Sequence, residues 1–101
     1  MFQSDNTLKR LQLWYERHCD GYWEHEYGVK IGNLGNPGWE VEIDVAGTAL
    51  ERTELKSVQI ERTEHDWISY RLEDMKFRGF GGPQNLTELL AIFLDWAENN
   101  A

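Results

Sequence analysis

The chain has 101 residues, 41% of them hydrophobic, with a single cysteine and five tryptophans. This length predicts one domain spanning residues 1–101, and one cysteine excludes an internal disulfide bond. Eighteen acidic and ten basic residues give a net charge of −8, which disfavours binding to nucleic acid and favours basic protein partners.

The N-terminal residues predict a helix and carry no targeting signal. Residues 1–10 lack a basic region followed by an apolar run, and no apolar stretch approaches the ~20 residues that cross a bilayer. We therefore expect a cytoplasmic protein without membrane contact. Ser4 or Asp5 can cap the helix, and Gly21 predicts its end near Asp20. The apolar positions of this helix recur at spacings of three and four: Leu8, Leu11, Tyr15 and Cys19.

The stretch RHCDGYWEHEYG, Arg17 to Gly28, holds the densest group of reactive side chains. A zinc site needs three or four ligands, but adjacent residues on a helix point about 100° apart, so His18 and Cys19 do not converge. A cysteine nucleophile needs an electropositive setting, whereas carboxylates surround this one. We expect no metal, no cofactor and no catalytic residue here. A small enzyme using His18, Cys19, Glu24 and His25 is the weaker alternative.

The segments YGVKIGNL and WEVEIDVA flank GNPG, whose glycine, asparagine and proline residues predict a chain reversal and therefore a β-hairpin. One register places apolar residues opposite each other on one face: Ile31 with Val41, Val29 with Ile43, and Tyr27 with Val45. The same register places Lys30 opposite Glu42 on the other face. Two further segments, ELKSVQIERT and WISYRLEDMKF, predict a second pair of strands. In this pair Val58 and Ile60 are expected to face Leu72 and Tyr70.

The C-terminal segment predicts the clearest helix. NLTELLAIFLDWAENN carries apolar residues at helical spacing, and Asn85 and Glu88 occupy the positions of a capping box. The preceding FRGFGGP lacks the lysine and hydroxyl residue of a phosphate-binding loop. Together these elements predict an α+β fold, a four-stranded antiparallel meander with N- and C-terminal helices packed on one face.

Carboxylates on the second predicted strand form the main candidate surface. Glu40, Glu42 and Asp44 alternate onto the face opposite the core, and the predicted register gives them Lys30 as their only basic neighbour. Such a face is a solvated surface by default. It becomes a binding surface if a basic partner docks on it.

Tryptophans supply a second set of candidates, because in a chain this small some of the five are expected near the surface as interface anchors. Trp39 shares the parity of the apolar strand positions and is expected in the core. Trp67 has the parity of outward strand positions, and Trp23 lies in the acidic turn that holds Glu24 and Glu26. We predict that Trp67 of the strand, together with Trp23, Glu24 and Glu26 of the turn, contacts a partner.

Three segments carry a resemblance to a known family. They are Cys-Asp-Gly-x-Trp-Glu-His at Cys19 to His25, Asn-Pro-Gly-Trp at Asn36 to Trp39, and Gly-Gly-Pro-x-Asn-Leu at Gly81 to Leu86. Over roughly Leu11 to Glu98 the chain resembles the immunity protein 53 family, small α+β proteins associated with bacterial polymorphic toxin systems. The resemblance implies a protein that protects its host by binding and blocking a cognate protein toxin.

The leading hypothesis is therefore an immunity protein, not an enzyme, that neutralises a basic, nuclease-type toxin through an acidic surface. A small adaptor for another bacterial protein is the alternative from a different class, and the gene beside this one would discriminate between the two. The sequence leaves the chemistry of the toxin and the oligomeric state open.

Overall fold

The computed structural model describes residues 6–100, so the predicted caps Ser4 and Asp5 lie outside the described residues. Within this range the elements are α1 Thr7–His18, α2 Trp23–Glu26, β1 Val29–Leu34, β2 Gly38–Asp44, β3 Val58–Glu61, β4 Trp67–Glu73, β5 Lys76–Gly81 and α3 Leu86–Asn99. The strands form one antiparallel sheet in the order β1-β2-β5-β4-β3. No helix between residues 6 and 100 is long and apolar enough to span a membrane.

The first helix, α1, ends at His18, earlier than predicted, because Cys19 is already extended with φ −74° and ψ 120°. The predicted apolar stripe is also displaced around the helix, since Leu8 is 64% exposed. The buried positions are Thr7, Leu11 and Trp14. Trp14 sets this orientation because its ring packs edge-on against Phe93 of α3, with 5.0 Å between the ring centroids.

Strands β1 and β2 form the predicted hairpin in the predicted register. The pairs are Val29 with Ile43, Lys30 with Glu42, and Ile31 with Val41. A slip of one residue would turn the fully buried Ile43 to the other face, which is why the apolar pattern specifies this register well. The ladder stops at Val29 and Ile43, so Tyr27 and Val45 do not belong to it.

The segment predicted as one strand from Trp67 to Phe77 is a hairpin. Asp74 and Met75 both have left-handed conformations, with φ of 54° and 58°, and they reverse the chain between β4 and β5. A two-residue hairpin turn of type I′ needs positive φ at both central positions, and its usual signal is Asn-Gly or Asp-Gly. Because methionine stands where glycine is usual, this turn carries no such signal. The prediction of four strands is wrong: residues 6–100 contain five.

The strand order also differs from the predicted meander. β5 lies at the centre of the sheet and pairs with both β2 and β4. Residues 45–57 therefore connect β2 to a strand at the far edge. This connection runs beside α3, where the indole N–H of Trp96 donates to the carbonyl of Glu54 at 3.1 Å.

Strand β3 pairs with β4 in a register two residues from the predicted one. Val58 faces Tyr70, and Ile60 faces Ile68. A slip of two residues keeps every side chain on its face, so alternation alone cannot discriminate between the two registers. The turn between β3 and β4 is closed by the carbonyl of Asp66, which accepts from the backbone N–H groups of Arg62 and Thr63 at 2.9 and 3.1 Å.

Helices cover one face of the sheet, and the α+β class is confirmed. α3 packs on β2 and β5, and α1 packs mainly against α3. The largest fully buried side chains include Phe77, Phe93, Ile43, Ile68, Leu89, Leu90 and Leu94. Trp39 is half-buried outside this core, with its indole N–H donating to the carbonyl of Pro83 at 2.9 Å. The prediction of a core Trp39 is therefore wrong.

A side-chain network at the start of α3 replaces the predicted capping box. Asn85 is the N-cap residue, but its side chain makes no capping bond. Its Nδ2 donates to Asp66 Oδ1 at 2.9 Å and to Glu88 Oε1 at 3.0 Å, while its Oδ1 accepts from the N–H of Trp67 at 3.3 Å. Arg62 forms ion pairs with both carboxylates. This Asn85 network, formed by Arg62, Asp66, Asn85 and Glu88, ties the helix to the β3–β4 loop.

Candidate partner-binding surface

The acidic turn after α1 is held by its own carboxylates. Asp20 accepts from the backbone N–H groups of Trp23 and Tyr22, both at 2.9 Å, and Glu24 accepts from those of Asp20 and Gly21 at 2.9 and 2.8 Å. The pKa of the Asp20 carboxyl lies below its ordinary value because the N–H groups of Trp23 and Tyr22 favour the ionised form. The pKa of Glu24 is lowered in the same way, by its own N–H and then by those of Asp20 and Gly21.

These bonds fold Trp23 into the core. Its side chain is 4% exposed, its ring lies 5.9 Å from that of Trp14, and its indole N–H donates to the carbonyl of Ala46 at 2.8 Å. The prediction that Trp23 is a surface anchor is wrong. Glu24 also helps to hold Trp23 in the core, because both of its carboxylate oxygens accept hydrogen bonds from the turn. Glu26, in contrast, is exposed.

The candidate catalytic cluster does not converge. His18 Nδ1 lies 2.7 Å from the carbonyl oxygen of Trp14, and Cys19 Sγ donates to that of Tyr15 at 3.3 Å, so both side chains bond back to α1. His25 is exposed on α2. Across residues 6–100, no three His, Cys, Asp or Glu side chains are placed to hold a metal ion. The arrangement is that of a helix end followed by a structured turn.

The sheet face opposite the helices presents alternate side chains of all the strands, and we call it the open face. Its members are Lys30, Leu34, Glu40, Glu42, Asp44, Gln59, Glu61, Trp67, Ser69, Arg71, Glu73, Lys76, Arg78 and Phe80. Four of these side chains are basic and five are acidic. The open face therefore has mixed charge, in contrast to the acidic face predicted from β2 alone.

Strand β5 supplies the cations that sequence reasoning missed. Lys76 pairs across the strands with Asp44, with 2.9 Å between Nζ and Oδ1. The pKa of Lys76 is raised above its ordinary value by this carboxylate. Asp44 also accepts from the backbone N–H of Gly28 at 2.9 Å. Asp44 is thus neutralised by Lys76 of β5 and also holds Gly28, the residue before β1, in place.

Arg78 has the same relation to the next carboxylate, with 3.9 Å between its Nε and Glu42 Oε2. The prediction that Lys30 is the only basic neighbour of this row is wrong, because β5, which the sequence merged with β4, runs beside β2. Glu40 lies opposite Phe80 of β5 and forms no ion pair with any residue between 6 and 100. It is the one carboxylate of the predicted row that keeps an uncompensated charge in the described structure.

A groove of about 430 Å³ joins the acidic turn to the open face. Its lining includes His25 and Glu26 from α2, together with Lys30, Glu42 and Asp44 from the sheet. The structure therefore brings Glu26 of the turn close to two of the three predicted strand carboxylates. From the sequence alone, the turn and the strand carboxylates are two separate candidate surfaces.

The other half of the open face holds a second hollow, of about 490 Å³, which we call the aromatic depression. It is lined by Gln59, Glu61, Thr63, Glu64, Trp67, Ser69 and Phe80. Trp67 lies on this face, as its parity predicted. Sequence reasoning did not single out Phe80, Glu61 or Glu64. The alternation of Phe80 with Lys76 and Arg78 was the available signal, and it became readable only once β5 was separated from β4.

The structure is that of a small α+β protein with one sheet face packed against helices and the other available for contact. The family model described as immunity protein 53 matches residues 8–98. The chain belongs to the immunity protein 53 family. Membership supports an immunity function and implies a toxin as partner. Searches of curated proteins and of solved structures found no match to the chain.

Proposed function

We propose that this chain is a cytoplasmic immunity protein of one domain that binds a basic, nuclease-type toxin and blocks it as a stoichiometric, non-catalytic inhibitor. The observation that carries the proposal is the match to immunity protein 53 over residues 8–98. The net charge of −8 supports a basic toxin, because a nuclease presents positive charge to its phosphate substrate and an acidic protein is attracted to that surface. The proposal includes no cofactor, no nucleic acid and no membrane partner.

The open face is the proposed centre of the interface. Five strands spaced ~4.8 Å apart, each about six residues long, present an area of roughly 20 by 20 Å. That is about half of the ~800 Å² that each partner buries in a standard interface. The contact must therefore extend to the rims of the face. We propose that it includes Glu26, Glu40, Glu42, Asp44 and Trp67.

The function is tested by expressing the toxin with and without this chain and by measuring the purified complex. We expect growth to be restored in the cells that make both proteins. The association rate constant should fall by about tenfold or more as ionic strength rises from about 0.01 to 1 M, because the Debye length shortens from ~30 to ~3 Å. Failure to restore growth would contradict the immunity function. A rate that does not change with salt would contradict the basic toxin.

A single charge reversal tests the open face. Glu40→Lys should slow association several-fold, because it reverses a charge at the proposed interface. The fold should be undisturbed, because Glu40 forms no ion pair with any other residue of the described chain. Glu16→Lys is the matched control, because Glu16 is exposed on α1 and makes the same change in net charge. Equal rates for both variants would remove Glu40 from the interface. Reversing Glu42 and Asp44 is a poorer test, because lysines there would face Arg78 and Lys76.

A further inference from the structure

The aromatic depression combines two rings that differ in their neighbours. Phe80 is flanked by two guanidinium groups, with the Cζ atoms of Arg71 and Arg78 lying 5.6 and 5.9 Å from its ring centroid. Trp67, on the same face, has no cation over its ring among residues 6–100. Because indole is the ring that binds cations best, the stronger of the two cation-binding surfaces is the one that the chain itself does not use.

The charges around the depression are unequally matched. Every arginine near it is already paired: Arg71 with Glu73 at 3.1 Å, Arg78 with Glu73 at 3.7 Å and Glu42 at 3.9 Å, and Arg62 with Asp66 at 2.8 Å and Glu88 at 2.6 Å. Glu61 and Glu64 line the depression and form no ion pair or side-chain hydrogen bond within the described part of the chain. The depression therefore presents two uncompensated carboxylates beside an available indole.

We propose that the aromatic depression receives an arginine side chain of the toxin, with its guanidinium stacked on Trp67 and bonded by Glu61 and Glu64. The inference rests on the proposed function and names the contact that carries it. A planar, weakly hydrated guanidinium stacks on aromatic rings and bonds carboxylates at two points, which an ammonium group cannot do. Arginine is also a residue that nucleases use on phosphate groups. Burying one here would withdraw it from the substrate.

The sharpest test removes the two charges and keeps the side-chain shapes. Glu61→Gln with Glu64→Gln should raise the dissociation constant of the toxin complex by about tenfold or more, which corresponds to ~1.4 kcal/mol. The matched control is Glu16→Gln with Glu54→Gln. Both of these residues are exposed on the helical side of the molecule, and the pair changes net charge by the same amount. We expect the control complex to stay within about twofold of the parent.

Trp67→Leu tests the indole. It keeps an apolar side chain beside Phe80 and removes the larger π surface, so the toxin should again bind about tenfold more weakly. Thermal unfolding is measured alongside. If this variant does not fold, the glutamine pair decides alone, because Glu61 and Glu64 make no contact on which the described fold depends.

The outcomes separate this inference from the proposed function. If the toxin binds the parent chain, but the Glu61→Gln/Glu64→Gln variant binds as tightly as its control, the inference is overturned and the immunity function stands. If the parent chain does not bind the toxin, the proposed function fails, and the depression is tested with N-acetyl-argininamide as the probe. A saturable shift of the Trp67 indole N–H signal, absent with N-acetyl-leucinamide and lost in the glutamine pair, supports the site. No saturable shift overturns it.

Discussion

Gly82 shows how a residue without a side chain can determine the path of the backbone. A Cβ atom at this position would overlap the carbonyl oxygen of His65 and lie 2.8 Å from Asn85 Oδ1. The N–H of Gly82 donates to the carbonyl of Trp67 at 3.0 Å. The glycine therefore lets the end of β5 pass against the β3–β4 loop at the place where the Asn85 network forms. Close backbone approach explains Gly82, and the side chain of Leu89 packed over Gly79 and Gly81 explains the other two glycines of FRGFGGP, without a nucleotide.

We predict that Gly82→Ala destabilises the protein. The added methyl group must displace backbone atoms, and overpacking of this kind lowers the free energy of unfolding by about 1–3 kcal/mol. Gly35→Ala is the matched control, because a Cβ atom added there would meet no heavy atom within 4 Å, and it should change stability by less than ~0.5 kcal/mol. Urea unfolding of both variants measures the difference. Equal midpoints would show that the β3–β4 loop, which contains His65, moves aside without loss of stability.

Residue type and position in the chain predicted some side-chain environments and not others. Trp67 is in a strand, so parity alone placed it on the open face. Trp23 is in a turn with no periodicity, and its burial depends on the backbone bonds of Asp20 and Glu24. A carboxylate that bonds N–H groups and one that awaits a partner look identical in a sequence. This is why the cluster after α1 resembled a functional site.

At the scale of elements, the local patterns were predictive and the long-range pairings were not. Alternation identified the first hairpin and its register, because a one-residue slip there would expose Ile43. The same alternation could not detect the two-residue shift of β3 against β4. It also could not detect the Asp74–Met75 turn, which adopts positive φ without a glycine. The Asn85 network likewise joins residues from a loop and a helix that only the fold brings together.

The Asn85 network predicts a pH dependence of stability. The pKa of Glu88 lies below its ordinary value of 4.5 because Arg62 bonds the ionised carboxylate, and that of Asp66 lies below 3.8 because Asn85 and then Arg62 do so. Between the lowered and ordinary values the unfolded chain binds more protons than the folded chain. The stabilising contribution is therefore complete above about pH 5 and is lost as the pH falls through the lowered values.

Arg62→Gln provides the test of this pH dependence. We expect the variant to be less stable than the parent at pH 7, and we expect the difference to narrow as the pH falls through the lowered pKa values of Glu88 and Asp66, because the protonated carboxyls lose their ion pairs with Arg62. Arg52→Gln is the control, since Arg52 is exposed and forms no ion pair with a described residue. It should follow the parent at every pH. Urea unfolding across the pH range measures this, and a constant difference between Arg62→Gln and the parent would contradict the assignment.

At the scale of the whole molecule, charge operates at two ranges. The net charge of −8 acts beyond contact distance and was available from the sequence. The distribution of that charge was not, because it depends on which strand lies beside β2. With β5 there, the row of Glu40, Glu42 and Asp44 is largely matched by Lys76 and Arg78. Under the proposed function, attraction of a basic toxin is thus a property of the whole chain, while the proposed place of contact depends on the few carboxylates without partners.

The central position of β5 also governs when a newly made molecule becomes useful. β5 is the last strand to leave the ribosome, yet β2 and β4 both need it as a neighbour. During synthesis, at ~5–20 residues per second, the β2 edge of the nascent β1–β2 hairpin stays unpaired until residues 76–81 emerge, followed by α3. A polypeptide interrupted before that point has no assembled sheet to offer. Under the proposed function, only molecules translated through α3 can therefore bind the toxin.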